Sequence, residues 1–331
     1  MLAARLYEPR NIRIEDVPVP EIPQKWVLIK PIIVGICGTD KAFYSGRYPL
    51  FKKPITLGHE VVGKVVKGPN HLLEKIVVSE INFACGKCFF CRSGMYTHCP
   101  YRKTLGIDFD GAMAEYFIAP VSALHIIEDI DPLVAVFAEP LAAILNAFEQ
   151  YPPKPTMKIA VLGSGNIALL SLQVLKAYGY RDVVAIVRSD SPKKKFIESL
   201  GIEIVELEYV KEFIETRMRE RLGFDMVIEA TGNPEALNVA IEITRPRGVI
   251  HLKSTPGVLF SANLTHAVVK ELRIVGTRCG SFKEFQKAIE LLRNGVINPI
   301  VTSVYTGIYS VREAFERAFE RDQVKVVIRF P

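Results

Sequence analysis

Of the six cysteines in this chain of 331 residues, four fall at positions 85, 88, 91 and 99, in the run CGKCFFCRSGMYTHC. The spacing is C-x2-C-x2-C-x7-C. Thiols this close can converge on one ion, with Gly86 and Gly94 relaxing the backbone between them. Four thiolates fill a tetrahedron and leave no open position, so such a site serves folding rather than chemistry. Two other readings of the spacing stand beside a structural zinc. One is a disulfide-bonded loop, disfavoured in a reducing compartment. The other is an iron–sulfur cluster, because Pro100 follows Cys99 as in the bacterial ferredoxin run; against it, the last interval is seven rather than three and no second cluster motif exists.

A second set has a different composition. Cys37 lies in GICGTD at residues 35–40, after the strand-like run WVLIKPIIV. His59 and Glu60 follow in GHE and lead into VVGKVV. By default a lone cysteine or histidine in such surroundings is a packing residue. Together, thiolate, imidazole and carboxylate suit a borderline-soft ion such as zinc, and a three-ligand set leaves room for water or substrate.

A third set is glycine-rich. Residues 157–168, MKIAVLGSGNIA, read as an apolar strand, the turn G-x-G-x-x-A and an apolar helix. Gly163 permits the tight turn, Gly165 lets backbone approach a pyrophosphate, and Ala168 keeps helix close to strand. The N–H groups of Asn166 and Ile167 open the helix towards the phosphates. At the end of the second strand, where an acid would accept both ribose hydroxyls of NAD, stands Arg188. Its guanidinium offers a charged fork to a 2′-phosphate and Ser189 a further hydrogen bond, whereas Asp190, two positions on, would restore an acid and an NAD preference. Counted back from Leu200 and Gly201, which resemble the close of the next helix in similar dinucleotide-binding proteins, the diagnostic position is 188, and NADP is the expected cofactor.

These residues need elements to position them. Strand-like runs at residues 182–187, 224–230, 248–252 and 272–276 alternate with helical patterns, which predicts a parallel, doubly wound α/β sheet with its ligand at the carboxyl ends of the strands; Thr231 follows one of them. The chain is long enough for two domains. Its net charge of +6 is dispersed, as in KEFIETRMRE at 211–220, so no nucleic-acid partner is expected. The apolar run 159–175 is broken by Gly163, Ser164 and Gly165 and does not read as a membrane span, and no signal core opens the chain, so a cytoplasmic location is expected.

In order along the chain, GICGTD, GHE, the four-cysteine lobe, AEPLA at residues 138–142 and GSGNIA resemble the zinc-dependent medium-chain dehydrogenase/reductase family, the alcohol, polyol and threonine dehydrogenase group. The resemblance implies a GroES-like, β-rich catalytic domain over residues 1–133 (with the zinc lobe at 85–99), a Rossmann NAD(P)-binding domain over 134–280, and a return to the catalytic domain over 281–331. It implies two zinc ions per chain, a catalytic one held by Cys37, His59 and Glu60 with Glu139 as a further ligand, and a structural one held by Cys85, Cys88, Cys91 and Cys99. It implies hydride transfer between an alcohol and NAD(P), with the proton leaving through the Thr39 hydroxyl. A polyol, sugar or amino alcohol is the expected substrate, and a homo-oligomer, tetramer before dimer, the expected assembly. Two alternatives stay open here: a zinc-free quinone reductase of the same superfamily, and a non-enzymatic dinucleotide-binding protein with only the structural metal.

Several residues fall outside the pattern. Ala42 stands where related enzymes often carry a relay histidine, with Lys41 and Tyr44 nearby, both more simply read as solvated surface residues. Lys253 occupies a position where small or apolar residues are common, and reaches either cofactor, substrate or solvent. Cys279 reads as a packing residue.

Overall fold

The computed structural model describes residues 1–331. The chain folds as two compact units. The first joins Met1–Ala143 with Cys279–Glu320 and Lys325–Pro331, so both chain ends build it; the second is Ile144–Arg278 together with Arg321–Val324. The first unit runs on to Ala143 because the opening turn of helix Ala138–Gln150 is buried in it, Ala138, Leu141 and Ala142 being almost inaccessible.

The first unit is strand-rich. Its main sheet runs in the order Leu124–Ile126, Ile76–Ser79, Glu60–Lys67, Trp26–Gly35, Val326–Arg329, Ser303–Thr306, with Phe117–Pro120 pairing the early part of Trp26–Gly35. β-Branched residues dominate Trp26–Gly35 and Glu60–Lys67, as a buried pleated surface requires. Register decides what the sheet presents. Gly35 lies opposite Glu60 on one side and Val327 on the other, so a strand from the chain terminus is laid beside residues near its start. The core beneath contains Phe43, Leu57, Val61, Leu105, Phe315 and Ile328.

The second unit holds six parallel strands in the order Glu203–Glu206, Val183–Val187, Ile159–Leu162, Phe224–Glu229, Thr244–Leu252, Arg273–Gly276. In chain order this is 3-2-1-4-5-6, the doubly wound arrangement, whose direction reverses between Ile159–Leu162 and Phe224–Glu229. Ala160, Leu162, Ile186, Val227, Ala240 and Ile250 form its core.

One helical stretch, Pro132–Gln150, is long and apolar enough to cross a membrane by length and composition, and 67% of that window is buried inside the protein. A core helix has the same composition.

Candidate metal centres and dinucleotide site

The four-cysteine lobe gathers its sulfurs into one cluster. All four Sγ atoms of Cys85, Cys88, Cys91 and Cys99 lie within 4.8 Å of one another, with Cys88–Cys91 at 3.5 Å and Cys88–Cys99 at 3.8 Å. Thiolates about 2.3 Å from a central ion stand about 3.8 Å apart at the edges of a tetrahedron, so the cluster fits zinc. No cysteine is in a disulfide. Gly86 and Gly94 both hold positive φ in the connecting turns. The backbone N–H of Lys87 lowers the Cys85 thiol to about 6, which favours the ligating thiolate.

A second candidate set grows from the sheet. Strand Trp26–Gly35 ends at Gly35, and Cys37 caps helix Gly38–Ser45; its backbone N–H donates to Asp40 Oδ2 at 2.9 Å. Glu60 starts the neighbouring strand with His59 just before it, and the Cys37 thiol and the His59 imidazole are close enough to perturb each other's charge. Asp40 Oδ1 lies 3.4 Å from His59 Nδ1, short of hydrogen-bond geometry, so both buried atoms lack a hydrogen-bond partner. A histidine that ligates a metal commonly donates its other ring N–H to a carboxylate, so Asp40 fits that supporting position. Burial and then the Glu60 carboxylate push the Cys37 thiol up. Burial alone would lower His59, but Asp40 and Cys37 outweigh it and hold the imidazole well above its ordinary range. The donors are those a zinc ion takes.

Glu60 has a partner of its own. Its Oε2 accepts from Lys325 Nζ at 2.5 Å, and Lys325 also donates to the Ile36 carbonyl at 3.3 Å. Both side chains are at most 3% exposed. Burial would lower the lysine, yet Glu60 and Cys37 hold its ammonium above the usual lysine range. A methyl group on Gly35 would stand 2.4 Å from Glu60 Oε2, so only glycine leaves the carboxylate this place. Glu139, in the first turn of Ala138–Gln150, is buried and adds to the negative charge that Lys325 feels. Thr39 is half-buried in the first turn after Cys37.

The two candidates for a missing relay are engaged elsewhere. Tyr44 is fully buried, stacks on Phe315 and donates to Glu316 at 2.6 Å, so it is not a solvated surface residue. Lys41 donates to the Ala318 carbonyl and lies over the Phe319 ring. Cys279 makes a polar contact beyond packing, accepting from Asn82 Nδ2 at 2.8 Å.

In the second unit, Gly163 ends strand Ile159–Leu162 at φ +126°, where a Cβ would meet the Ala230 carbonyl at 2.9 Å. Gly165 caps helix Asn166–Ala177 with open space around its missing Cβ, and Ala168 is buried where helix meets sheet. Asn166 and Ile167 supply the helix's first N–H groups. Thr231, just past Phe224–Glu229, donates from N and Oγ1 to Glu229 Oε1 at 2.9 and 2.6 Å. Arg188 is exposed at the end of Val183–Val187. The Ser189 hydroxyl donates to Glu208 Oε1 at 3.1 Å, so Glu208 already occupies that donor. Lys253, ending the fifth strand, donates to Thr277 Oγ1 at 2.8 Å.

A doubly wound nucleotide-binding unit, a strand-rich unit and a four-thiol cluster that fits zinc define the class: a nicotinamide-dependent, zinc-type oxidoreductase. Comparison with known proteins agrees. Residues 23–129 match the alcohol dehydrogenase GroES-like domain and residues 167–294 the zinc-binding dehydrogenase domain. The chain is 31% identical over 303 residues to a sorbitol dehydrogenase of Halalkalibacterium halodurans, covering 87% of this chain and 86% of that protein. It is 32% identical over 307 residues to an L-threonine 3-dehydrogenase of Pyrococcus abyssi, covering 87% and 86%. A zinc-binding dehydrogenase of Sinorhizobium meliloti, solved with NADP bound, superposes with a TM-score of 0.88 at 27% identity over 99% of this chain and 98% of that one. The chain belongs to the zinc-dependent medium-chain dehydrogenase/reductase family. It is an NAD(P)-dependent alcohol oxidoreductase.

Proposed function

We propose that this enzyme oxidises a secondary hydroxyl of a polyol, sugar or amino alcohol, with NADP preferred over NAD and two zinc ions per chain. The juxtaposition that carries the reading is Cys37 at a helix N-terminus near the buried His59 and Glu60, with Asp40 Oδ1 3.4 Å from the His59 ring. Cys37 and His59, with Glu60 and Glu139 as further ligands, would hold a zinc ion, whose Lewis acidity would make a bound alcohol easier to deprotonate. Asp40 orients the His59 ring. The Thr39 hydroxyl takes the alcohol proton and passes it outward. Gly163 and Gly165 admit the pyrophosphate to the N–H groups of Asn166 and Ile167, Thr231 borders the same turn, and Arg188 receives the 2′-phosphate. The four-thiol centre, having no open position, serves stability.

Sorbitol and L-threonine, the substrates in the relatives' names, both carry secondary hydroxyls, which supports that substrate class. Zinc measured by mass spectrometry, with a polyol, sugar and amino-alcohol panel assayed in both cofactors, tests the reading. One zinc per chain and no oxidation of any alcohol would favour the quinone reductase or binding-protein alternatives. A homo-oligomer, tetramer before dimer, is supported by the open edge strand Arg273–Gly276 and by exposed Leu259, Val268 and Val269 on the same unit. A monomer by light scattering at micromolar concentration would overturn it. Six unbridged cysteines suit a cytoplasmic location.

A further inference from the structure

The end of strand Val183–Val187 gathers more charge than Arg188 alone. Four residues from near the chain terminus, Arg321–Val324, belong to the nucleotide-binding unit. Arg321 Nη2 stands 2.7 Å from Asp190 Oδ2 and donates to the Asp190 carbonyl at 3.0 Å. Arg188 Nε lies 3.6 Å from the other carboxylate oxygen, Asp190 Oδ1. Lys193 Nζ donates to the Gln323 carbonyl at 3.3 Å. The three cations feel one another: burial, then Arg188, and more weakly Arg321 hold the Lys193 ammonium below its ordinary range, against the opposing pull of Asp322. On the acidic side stand Asp190, Asp322 and Glu208, the last bonded to Ser189.

Asp190 is the decisive group. A carboxylate near the end of the second strand is what an NAD site offers to the ribose hydroxyls, and it repels a 2′-phosphate. Here each of its oxygens faces an arginine. These side chains are all more than half exposed, so the pairing adds little to stability. Its consequence lies in what the surface can recognise.

We propose that Arg321 is a positioning residue for cofactor choice. It ties the Asp190 carboxylate away from the adenosine ribose and, with Arg188 and Lys193, completes a cationic cradle for the 2′-phosphate. The inference rests on the NADP reading above and adds to it a residue from the far end of the chain.

Calorimetric titration with 2′,5′-ADP and 5′-AMP, at one fixed low ionic strength because exposed charges are screened, tests this without turnover. The wild type should bind 2′,5′-ADP at least about tenfold more tightly than 5′-AMP, the ratio one charge-assisted contact supplies. Arg321→Ala should lose most of that ratio through weaker 2′,5′-ADP binding, with 5′-AMP affinity unchanged or improved. Arg321→Lys should restore much of it. Asp190→Asn in the Arg321→Ala background should also recover part of it, because the freed carboxylate is then gone. A wild type that binds both ligands equally overturns the NADP reading and this proposal with it. A wild type that prefers 2′,5′-ADP while Arg321→Ala keeps the full ratio overturns the role of Arg321 alone. Equal loss of both ligands in Arg321→Ala marks a merely structural residue and also overturns it.

Discussion

Replacing Lys325 by methionine removes the only hydrogen-bonded cation on Glu60 while keeping most of the side-chain volume. The lysine and glutamate are 3% and 1% exposed and 2.5 Å apart, so in protein stripped of zinc, where no ion shares Glu60, the variant leaves a carboxylate charge buried without its partner and the Ile36 carbonyl without a donor. Breaking a buried pair in this way costs about 3–5 kcal/mol. For a unit of this size each kcal/mol moves the melting temperature by about 2–4 °C, so a fall of about 6–20 °C is expected. Trp26, the single tryptophan, lies in the first unit and reports its unfolding apart from that of the second. The Glu60→Gln change in the Lys325→Met background removes the orphaned charge and should recover most of the loss, giving a large coupling energy in the double-mutant cycle. A Lys325→Met midpoint within about 1 kcal/mol of wild type would refute the reasoning, since the surface-pair range would then describe a pair the structure places in the core.

The metal centres should separate by mutation: Cys37→Ser should abolish turnover with little change in melting, whereas Cys88→Ser should lower melting and zinc content, because a closed site is coupled to folding; unchanged stability in Cys88→Ser with activity lost would reverse the two roles. Thr39→Ala should lower kcat by about 10²–10⁴-fold with cofactor affinity intact, as measured by steady-state kinetics and calorimetry, since only proton transfer is removed. His251 is fully buried with Nε2 on the Tyr151 carbonyl, and burial lowers it to about 4 from the ordinary 6.5. A depressed histidine stabilises the fold while neutral, so its contribution is complete above about pH 6.5 and is lost as the pH falls towards about 4, amounting to about 3 kcal/mol. Melting of the cofactor-binding unit between pH 7 and 4.5 should therefore drop less in His251→Asn than in wild type, and equal drops would rule the histidine out as the cause.

The most legible parts of this protein were those whose physics is local. Four thiols within fifteen residues reach one ion through the turns at Gly86 and Gly94, with no help from distant chain. Gly163 is demanded by a positive φ three residues from the helix it starts, and alternation of strand and helix by itself dictates a parallel sheet. Asp40 was within reach too, since an acid three residues past Cys37 is where a helix cap bonds back to its start. Other features had no local trace. Lys325 meets Glu60 across 265 residues because the terminal strand Val326–Arg329 pairs beside Gly35. Arg321 meets Asp190 across 131 residues because the short piece Arg321–Val324 folds onto the nucleotide-binding unit. Tyr44 reads as a surface residue until Phe315 and Glu316, from that same terminal region, are packed against it. The sequence alone determined the ligand types and the turns that present them, because these depend on backbone conformation over a few residues. Which charges neutralise one another was decided by sheet pairing and by the path of the C-terminal chain, because a Coulomb partner is chosen by distance in space rather than by separation along the chain.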